Sequence, residues 1–283
     1  MKFYIVIPAH NEASFIEKTL LSLVSQTLLP KKIVVVDDHS TDTTSEVVSR
    51  CTEKFPFIHL VKISSEDKHL PGSKVINAFY RGFEMLDDDY DIICKFDADL
   101  IFPENYLEKV SEIFKNNPKC GMAGGFCTIE KKGNWEVENL TNKDHIRGAL
   151  KAYRKDCFKD IGGLKRAMGW DTADELLAQY HNWKVITEPT LLVKHLKPTG
   201  NTYDKAARYT QGEAFYALRY GFWLTAIASA KLAFKKENPL LIIDYLRGYC
   251  QAKRKKVEYL VSSEEGKFIR TYRWKKIRQK IFN

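Results

Sequence analysis

Acids stand in pairs where apolar stretches of this 283-residue chain end. Asp97 and Asp99 follow the run Ile92 to Phe96. Two carboxylates two residues apart can converge on one hard divalent cation, which needs only one or two carboxylates when substrate phosphates complete its shell. That spacing suits a metal-bound diphosphate, although an Asp-x-Asp in a loop also serves as solvated turn chemistry. Asp37 and Asp38 close the β-branched run Ile33 to Val36 in the same way. Acids there can accept hydrogen bonds from a nucleotide base or ribose, or they can stabilise the start of the next helix through its macrodipole. Asp171, Asp174 and Glu175 lie together in GWDTADELLAQY (169–180), after Gly162-Gly163, and His195 ends a further apolar stretch.

These residues need elements to hold them. Residues 2–8 (KFYIVIP) read as a buried strand, and about Glu12 to Gln26 place Phe15, Ile16, Leu20, Leu23 and Val24 on one helical face. The Ile33–Val36 run is typical of a parallel strand covered on both faces. Ser40 or Thr41 can cap a helix running to about Arg50. Phe57 to Ile63 reads as a third strand, Gly72 to Met85 as a helix and Asp91 to Phe96 as a fourth strand. Strand-helix alternation predicts an α/β protein with a mostly parallel sheet flanked by helices. Ligands of such sheets collect beyond the carboxyl ends of the strands. Further on, a helix is expected after Pro103, a short strand ending at Gly121–Gly125, a helix over Thr172–Tyr180 and strands near 184–186 and 190–195. From about Tyr203 the pattern is helical.

Charge divides the chain unevenly. Residues 1–204 carry a net −3 and residues 205–283 a net +12. The helical tail mixes Phe, Tyr, Trp, Leu and Ile with Lys and Arg, notably over 214–234, 240–249 and 268–282. Such a composition suits an anionic partner, and a helix lying in the headgroup region of an anionic leaflet is the expectation. Nucleic acid is disfavoured because the body is acidic and its acids cluster at strand ends. The longest uncharged stretch on the C-terminal side, Tyr220 to Ala230, is too short to cross a bilayer. The N-terminal apolar run is too short for a signal-peptide core, and six cysteines without a CxxC pair read as free thiols of a reducing compartment. A cytoplasmic protein, peripheral at the inner face of the cell membrane, is expected.

Three pieces occur in order: VIPAHNE (6–12), VVVDDHSTDTT (34–44) and FDAD (96–99). Together they resemble the nucleotide-sugar half of inverting family-2 glycosyltransferases of the GT-A fold, over about residues 1–200. The resemblance implies a domain of residues 1–200, with 1–100 binding the nucleotide sugar and 101–200 the acceptor, followed by a basic helical extension over 201–283. It implies that Asp38 contacts the base, that Pro8, Ala9, Asn11 and Glu12 line base and ribose, and that Lys74 lies near the nucleotide. Asp97 would face the ribose or a metal-bound water, Asp99 would bind Mn²⁺ or Mg²⁺, and His195 would add a metal or diphosphate contact. The family usually carries a Glu-Asp pair on a helix after a Gly-Gly loop, the Asp being the general base. Asp174 aligns with that base. Ala173 replaces the Glu and Tyr180 stands where Arg is frequent, so Asp171 and Glu175 compete for the role.

The reaction implied is transfer of a sugar from a nucleoside diphosphate to an acceptor hydroxyl of a glycan or lipid-linked glycan. A nucleotidyltransferase on a related fold is the rival, but it calls for a Gly-rich basic loop where PAHNE (8–12) stands. A dinucleotide oxidoreductase lacks its Gly-x-Gly-x-x-Gly. A catalytically silent sugar-nucleotide-binding relative is the remaining alternative, because the base motif departs from the pattern.

Overall fold

The computed structural model describes residues 1–64, 72–138, 143–197 and 209–281. The first half alternates β1 (Phe3–Ala9), α1 (Ile16–Val24), β2 (Lys32–Asp38), α2 (Thr44–Lys54), β3 (Ile58–Ile63), α3 (Ser73–Phe83) and β4 (Ile92–Phe96). There follow β5 (Leu100–Ile101), α4 (Tyr106–Asn116), β6 (Cys120–Lys131), β7 (Asn134–Val137), β8 (Leu150–Arg154), α5 (Lys155–Asp160), α6 (Trp170–Tyr180) and β9 (Lys184–His195). Four helices complete the chain: α7 (Thr210–Ala217), α8 (Phe222–Lys235), α9 (Leu241–Lys255) and α10 (Ser263–Ile281).

The strands form one mixed sheet in the order β3-β2-β1-β4-β8-β6-β9-β5, with β7 paired to β6. β1 runs parallel to β2 and β4, and β2 parallel to β3, so these strands all end on one side. Phe3 to Ile7 and Ile33 to Val36 are buried throughout. This is the consequence of a parallel sheet covered on both faces. α3 lies so close to the sheet that a Cβ at Gly82 would meet Val6 and Val36 side chains at 2.6 and 2.7 Å. β8 turns the sheet mixed by pairing antiparallel with both β4 and β6.

Two local expectations differ from the structure. α2 starts at Thr44 and not directly after Ser40 or Thr41, because Ser40 and Thr41 bond Asn11 while Asp42 Oδ1 accepts the Thr44 amide at 3.0 Å. The two short strands expected over 184–195 are one strand, β9, paired in parallel with a β6 longer than expected. Its register jumps from Gly124↔Thr187 to Phe126↔Leu192, so the stretch around Pro189 bulges out. Gly125 permits the bulge, since a Cβ there would lie 2.1 Å from the Leu191 carbonyl oxygen.

The core continues from the sheet into the helical tail through Phe215, Leu224, Tyr249 and Ile269. α10 meets α6 where the Phe268 and Tyr180 rings stack edge to face, 5.5 Å between centroids. The boundary expected at 200/201 lies outside the described residues. Among the described residues no helix is long and apolar enough to cross a membrane. Five of the six free cysteines are buried and Cys250 is exposed.

α7 and α9 touch backbone to backbone. A Cβ at Gly212 would lie 1.9 Å from the Tyr245 carbonyl oxygen, and one at Gly248 2.1 Å from that of Tyr209. Backbone cannot give way as a side chain can, so Gly212→Ala or Gly248→Ala is expected to lower the unfolding free energy by about 1–3 kcal/mol, measured by urea denaturation.

Candidate active site

The carboxyl ends of β1 and β2 are tied into one rim by side chains from both loops. His10 Nδ1 meets the Asp38 carbonyl oxygen at 2.7 Å, the Asn11 amide donates to Ser40 Oγ at 2.9 Å, and Asn11 Oδ1 accepts the Thr41 amide at 2.8 Å. The Glu12 amide donates to Thr44 Oγ1 at 2.8 Å. Asn11 and His39 take left-handed backbone angles, φ +54° and +58°, which the surrounding bonds must hold in place. The alternatives open for Asp37 and Asp38 separate here. Asp37 braces the turn by accepting the Ser40 amide and the Ser45 hydroxyl, while Asp38 is buried at the strand end beside it. Pro8 and Ala9 complete β1 next to Val36 and Asp37.

The Asp97-Ala98-Asp99 turn is pinned at each residue. The Asp97 amide donates to the Ala149 carbonyl at 2.8 Å. Thr19 of α1 donates to the Ala98 carbonyl at 2.7 Å and accepts the Leu100 amide at 3.0 Å. Leu196 bonds the Asp99 carbonyl at 2.9 Å, and the pairing of β5 with β9 sets Leu100 opposite His195. His195 Nε2 consequently lies 3.2 Å from Asp99 Oδ2, both side chains being almost wholly buried. Glu12 belongs to the same group. Burial pushes its carboxyl above the usual range, Lys197 at 2.6 Å pulls it back, and the charges of Asp99 and Asp97 add to the rise.

This donor set suits a hard divalent cation. Carboxylate oxygen and imidazole nitrogen separated by 3.2 Å match the ~3 Å edge of an octahedron with bonds of ~2.1 Å. Among the described residues His195 Nδ1 has no hydrogen-bond partner; it lies 3.6 Å from Glu138 Oε2, and Glu138 also pairs with Arg147. A carboxylate behind a ligating histidine is the usual way to orient its ring. Among the described residues no three His, Cys, Asp or Glu side chains form a ready-made cage. The remaining positions would fall to phosphate and water, as is common for Mg²⁺ and its congeners.

A second group of charges lies across β4 and β8, whose register sets Lys95 opposite Lys151. Both ammonium groups sit over the Trp170 ring, 5.4 and 5.7 Å from its centroid. Lys95 pairs with Asp97. Lys151, wholly buried, holds Asp174 at 2.7 and 2.9 Å and Glu175 at 3.3 Å. Burial alone would lower the Lys151 ammonium, but Asp174, Glu175 and Asp171 keep it protonated. Asp174 also accepts the Tyr153 hydroxyl at 2.6 Å and has no exposed surface. Burial pushes its carboxyl upward against the pull of Lys151. Glu175 accepts the Ile146 amide at 2.8 Å and faces His145 Nδ1 at 2.9 Å.

Asp171 differs from its neighbours. It stands in the first turn of α6 next to Trp170, and 35% of its side chain is open to solvent. Burial would raise its carboxyl, but His145, Lys151 and Lys95 bring it down to about 2. His145 in turn is lifted to about 9, the carboxylates of Asp171 and Glu175 outweighing its own burial. Asp174, aligned with the family's base on sequence, thus lies wholly buried inside the ion-pair network, whereas Asp171 stands at its edge, 3.6 Å from His145 Nε2 and partly open to solvent. Lys74 is half-buried at the start of α3 and forms no ion pair with Asp97 or Asp99. Sequence reasoning missed Lys95, Lys151, His145, Glu138 and Arg147. The charged residues within the apolar strands at 95 and 151 were the available signal, since a charge in a buried strand requires a partner.

Residues 4–163, more than half of the chain, match the model of Glycosyl transferase family 2. The probable glycosyltransferase YdaM of Bacillus subtilis is 25% identical over 286 residues, which covers 90% of this chain and 60% of that protein. The poly-beta-1,6-N-acetyl-D-glucosamine synthase of Staphylococcus epidermidis is 24% identical, over 81% of this chain and 58% of that protein. The chain therefore spans roughly three fifths of the length of these curated relatives. Among solved structures, the mannosyltransferase PcManGT of Pyrobaculum calidifontis, in complex with GDP-Man and Mn²⁺, superposes with a TM-score of 0.58 at 18% identity, covering 95% of this chain and 79% of that one. Residues 1–349 of S. aureus TarS, in complex with UDP-GlcNAc, give 0.58 at 17% identity over 88% and 72%. These neighbours share the GT-A architecture, and with the match over residues 4–163 the chain belongs to glycosyl transferase family 2.

Proposed function

We propose that this protein moves a sugar from a nucleoside-diphosphate sugar to an acceptor hydroxyl by single displacement with inversion. The observation that carries the reading is the linkage Asp97–Lys95–Trp170, with Asp171 the next residue of α6 after Trp170, which connects the Asp97 turn to an ionised and partly exposed carboxylate. The nucleotide sugars bound by PcManGT and TarS support the same donor class. Asp38 takes the base, and Pro8, Ala9, Asn11 and Glu12 line the base and ribose, with Lys74 near the nucleotide. Asp97 faces the ribose or a metal-bound water, while Asp99 and His195 hold Mn²⁺ or Mg²⁺. The cation, when bound, supplies Lewis-acid stabilisation of the charge that grows on the departing diphosphate.

On the acceptor side Asp171 takes the hydroxyl proton. A carboxylate this acidic accepts late, once the bond forming to the sugar carbon has acidified the hydroxyl. Asp174 and Glu175 position: they hold Lys151 and His145, and these keep Asp171 charged. An available base at 171 weakens the catalytically silent reading. The acceptor is a glycan or lipid-linked glycan of cell-surface assembly, presented to a cytoplasmic enzyme at an anionic membrane face that residues 205–283 touch.

Asp171→Asn should retain binding of the nucleoside diphosphate, measured by calorimetry, yet lose transfer by about 10²–10⁴-fold. Asp174→Asn should instead lose about 3–5 kcal/mol of stability because Lys151 stays buried without its nearest carboxylate, the longer contact to Glu175 alone remaining, read by urea denaturation. A stable Asp174→Asn that binds donor and fails in transfer would return the base to 174. Asp99→Ala should abolish divalent-dependent binding of nucleoside diphosphate in a Mn²⁺ titration, with the fold intact by circular dichroism.

His145 gives a pH signature. Its folded value of about 9 exceeds the ordinary 6.5, so its stabilisation is complete below about pH 6.5 and disappears as pH rises through 9. Urea denaturation between pH 6 and 10 should show a loss approaching about 3 kcal/mol, and His145→Gln should flatten the profile.

A further inference from the structure

α8 is inside out relative to a water-facing helix. Trp223, Ile227 and Phe234 fall on one face at i, i+4 and i+11 and are 73%, 40% and 87% exposed. They form a stripe about 16 Å long at 1.5 Å per residue, bordered by Phe222 and continued by Leu240 and Ile243 where α9 begins. The face that packs inward carries Thr225 and Ser229 beside Leu224 and Ala233. Hydroxyls are buried and aromatics exposed, the reverse of what water selects. Residues 222–256 carry eight Lys or Arg against two Asp or Glu, and one of those acids, Asp244, is buried. Lys231 lies within the stripe, and exposed Arg247 and Arg254 extend it along α9 from Ile243.

We propose that this α8–α9 face is the element that seats the protein on an anionic lipid leaflet, with Trp223, Phe234 and Leu240 entering the headgroup region and the surrounding Lys and Arg meeting lipid phosphates. The proposal rests on the membrane-facing reading of residues 205–283 and names the surface responsible. The chemistry selects this occupant. Aromatic and aliphatic side chains ringed by cations match an interface that is apolar below and anionic above. A second copy of the chain would set a net +6 against a net +6, a repulsive arrangement. At fourteen residues α8 is too short to span, so it lies in the interface plane.

The test is flotation of the full chain with phosphatidylcholine vesicles and with mixed phosphatidylcholine–phosphatidylglycerol vesicles. The chain should float with the mixed vesicles, and the double variant Trp223→Glu, Phe234→Glu, which removes two apolar anchors, should bind at least about tenfold more weakly. Nucleoside-diphosphate binding by that variant should be unchanged, which establishes that it is folded. Quenching of Trp emission by brominated lipid should fall in Trp223→Phe. A wild-type chain that floats and a double variant that floats equally well would overturn the assignment of this face while the membrane reading stands. A wild-type chain that stays with neither vesicle overturns both. Self-association of the wild type that the double variant abolishes would make the face a homotypic interface and overturn the proposal.

Discussion

Two lysines inside the sheet, Lys95 and Lys151, set the charge arrangement on which the rest of the site depends. They occupy facing positions on adjacent strands and share one aromatic ring, Trp170. Buried ammonium groups this close are tolerated only with carboxylates on every free side. Asp97 satisfies one, and Asp174 with Glu175 the other. The cost of burying the lysines thereby fixes where α6 begins relative to β4. That placement sets Asp171, the residue after Trp170, on the side of the sheet where β4 ends.

The same logic separates three acids that look alike in sequence. Asp171, Asp174 and Glu175 fall within five residues, but one turn of helix rotates them to different surroundings. Asp174 points into the sheet and meets Lys151 and Tyr153, Glu175 meets His145 and the Ile146 amide, and Asp171 meets the other nitrogen of His145 and, in part, solvent. Their electrostatic states diverge accordingly. Burial raises Asp174, whereas three neighbouring cations bring Asp171 down to about 2. Environments that push like groups apart in this manner are how one protein assigns distinct acid and base duties.

Opposite the lysine group, the rim of β1 and β2 gains its shape from loop-to-loop bonds, and His195 reaches Asp99 because β9 returns alongside β5. Neither contact is local: Asn11 and Ser40 are 29 residues apart, and Asp99 and His195 lie at opposite ends of the second half of the body. The helical tail is joined to this body by a continuous core, yet α8 still turns aromatic side chains outward. Exposure of that kind implies a surface whose proper surroundings are other than bulk water.

Local pattern alone determined the alternation of buried strands and amphipathic helices, the acids at the ends of β2 and β4, and the basic helical tail, because side-chain periodicity and turn chemistry act over a few residues. It misjudged the start of α2, where Ser40 and Thr41 bond Asn11 in place of capping, and the unity of β9, whose bulge needs Gly125 opposite it. Only the tertiary structure separated the surroundings of Asp171 and Asp174, since these depend on Lys151 and Tyr153 arriving from β8. Periodicity can say which face of a helix is buried; it cannot say which charge waits on the strand beneath.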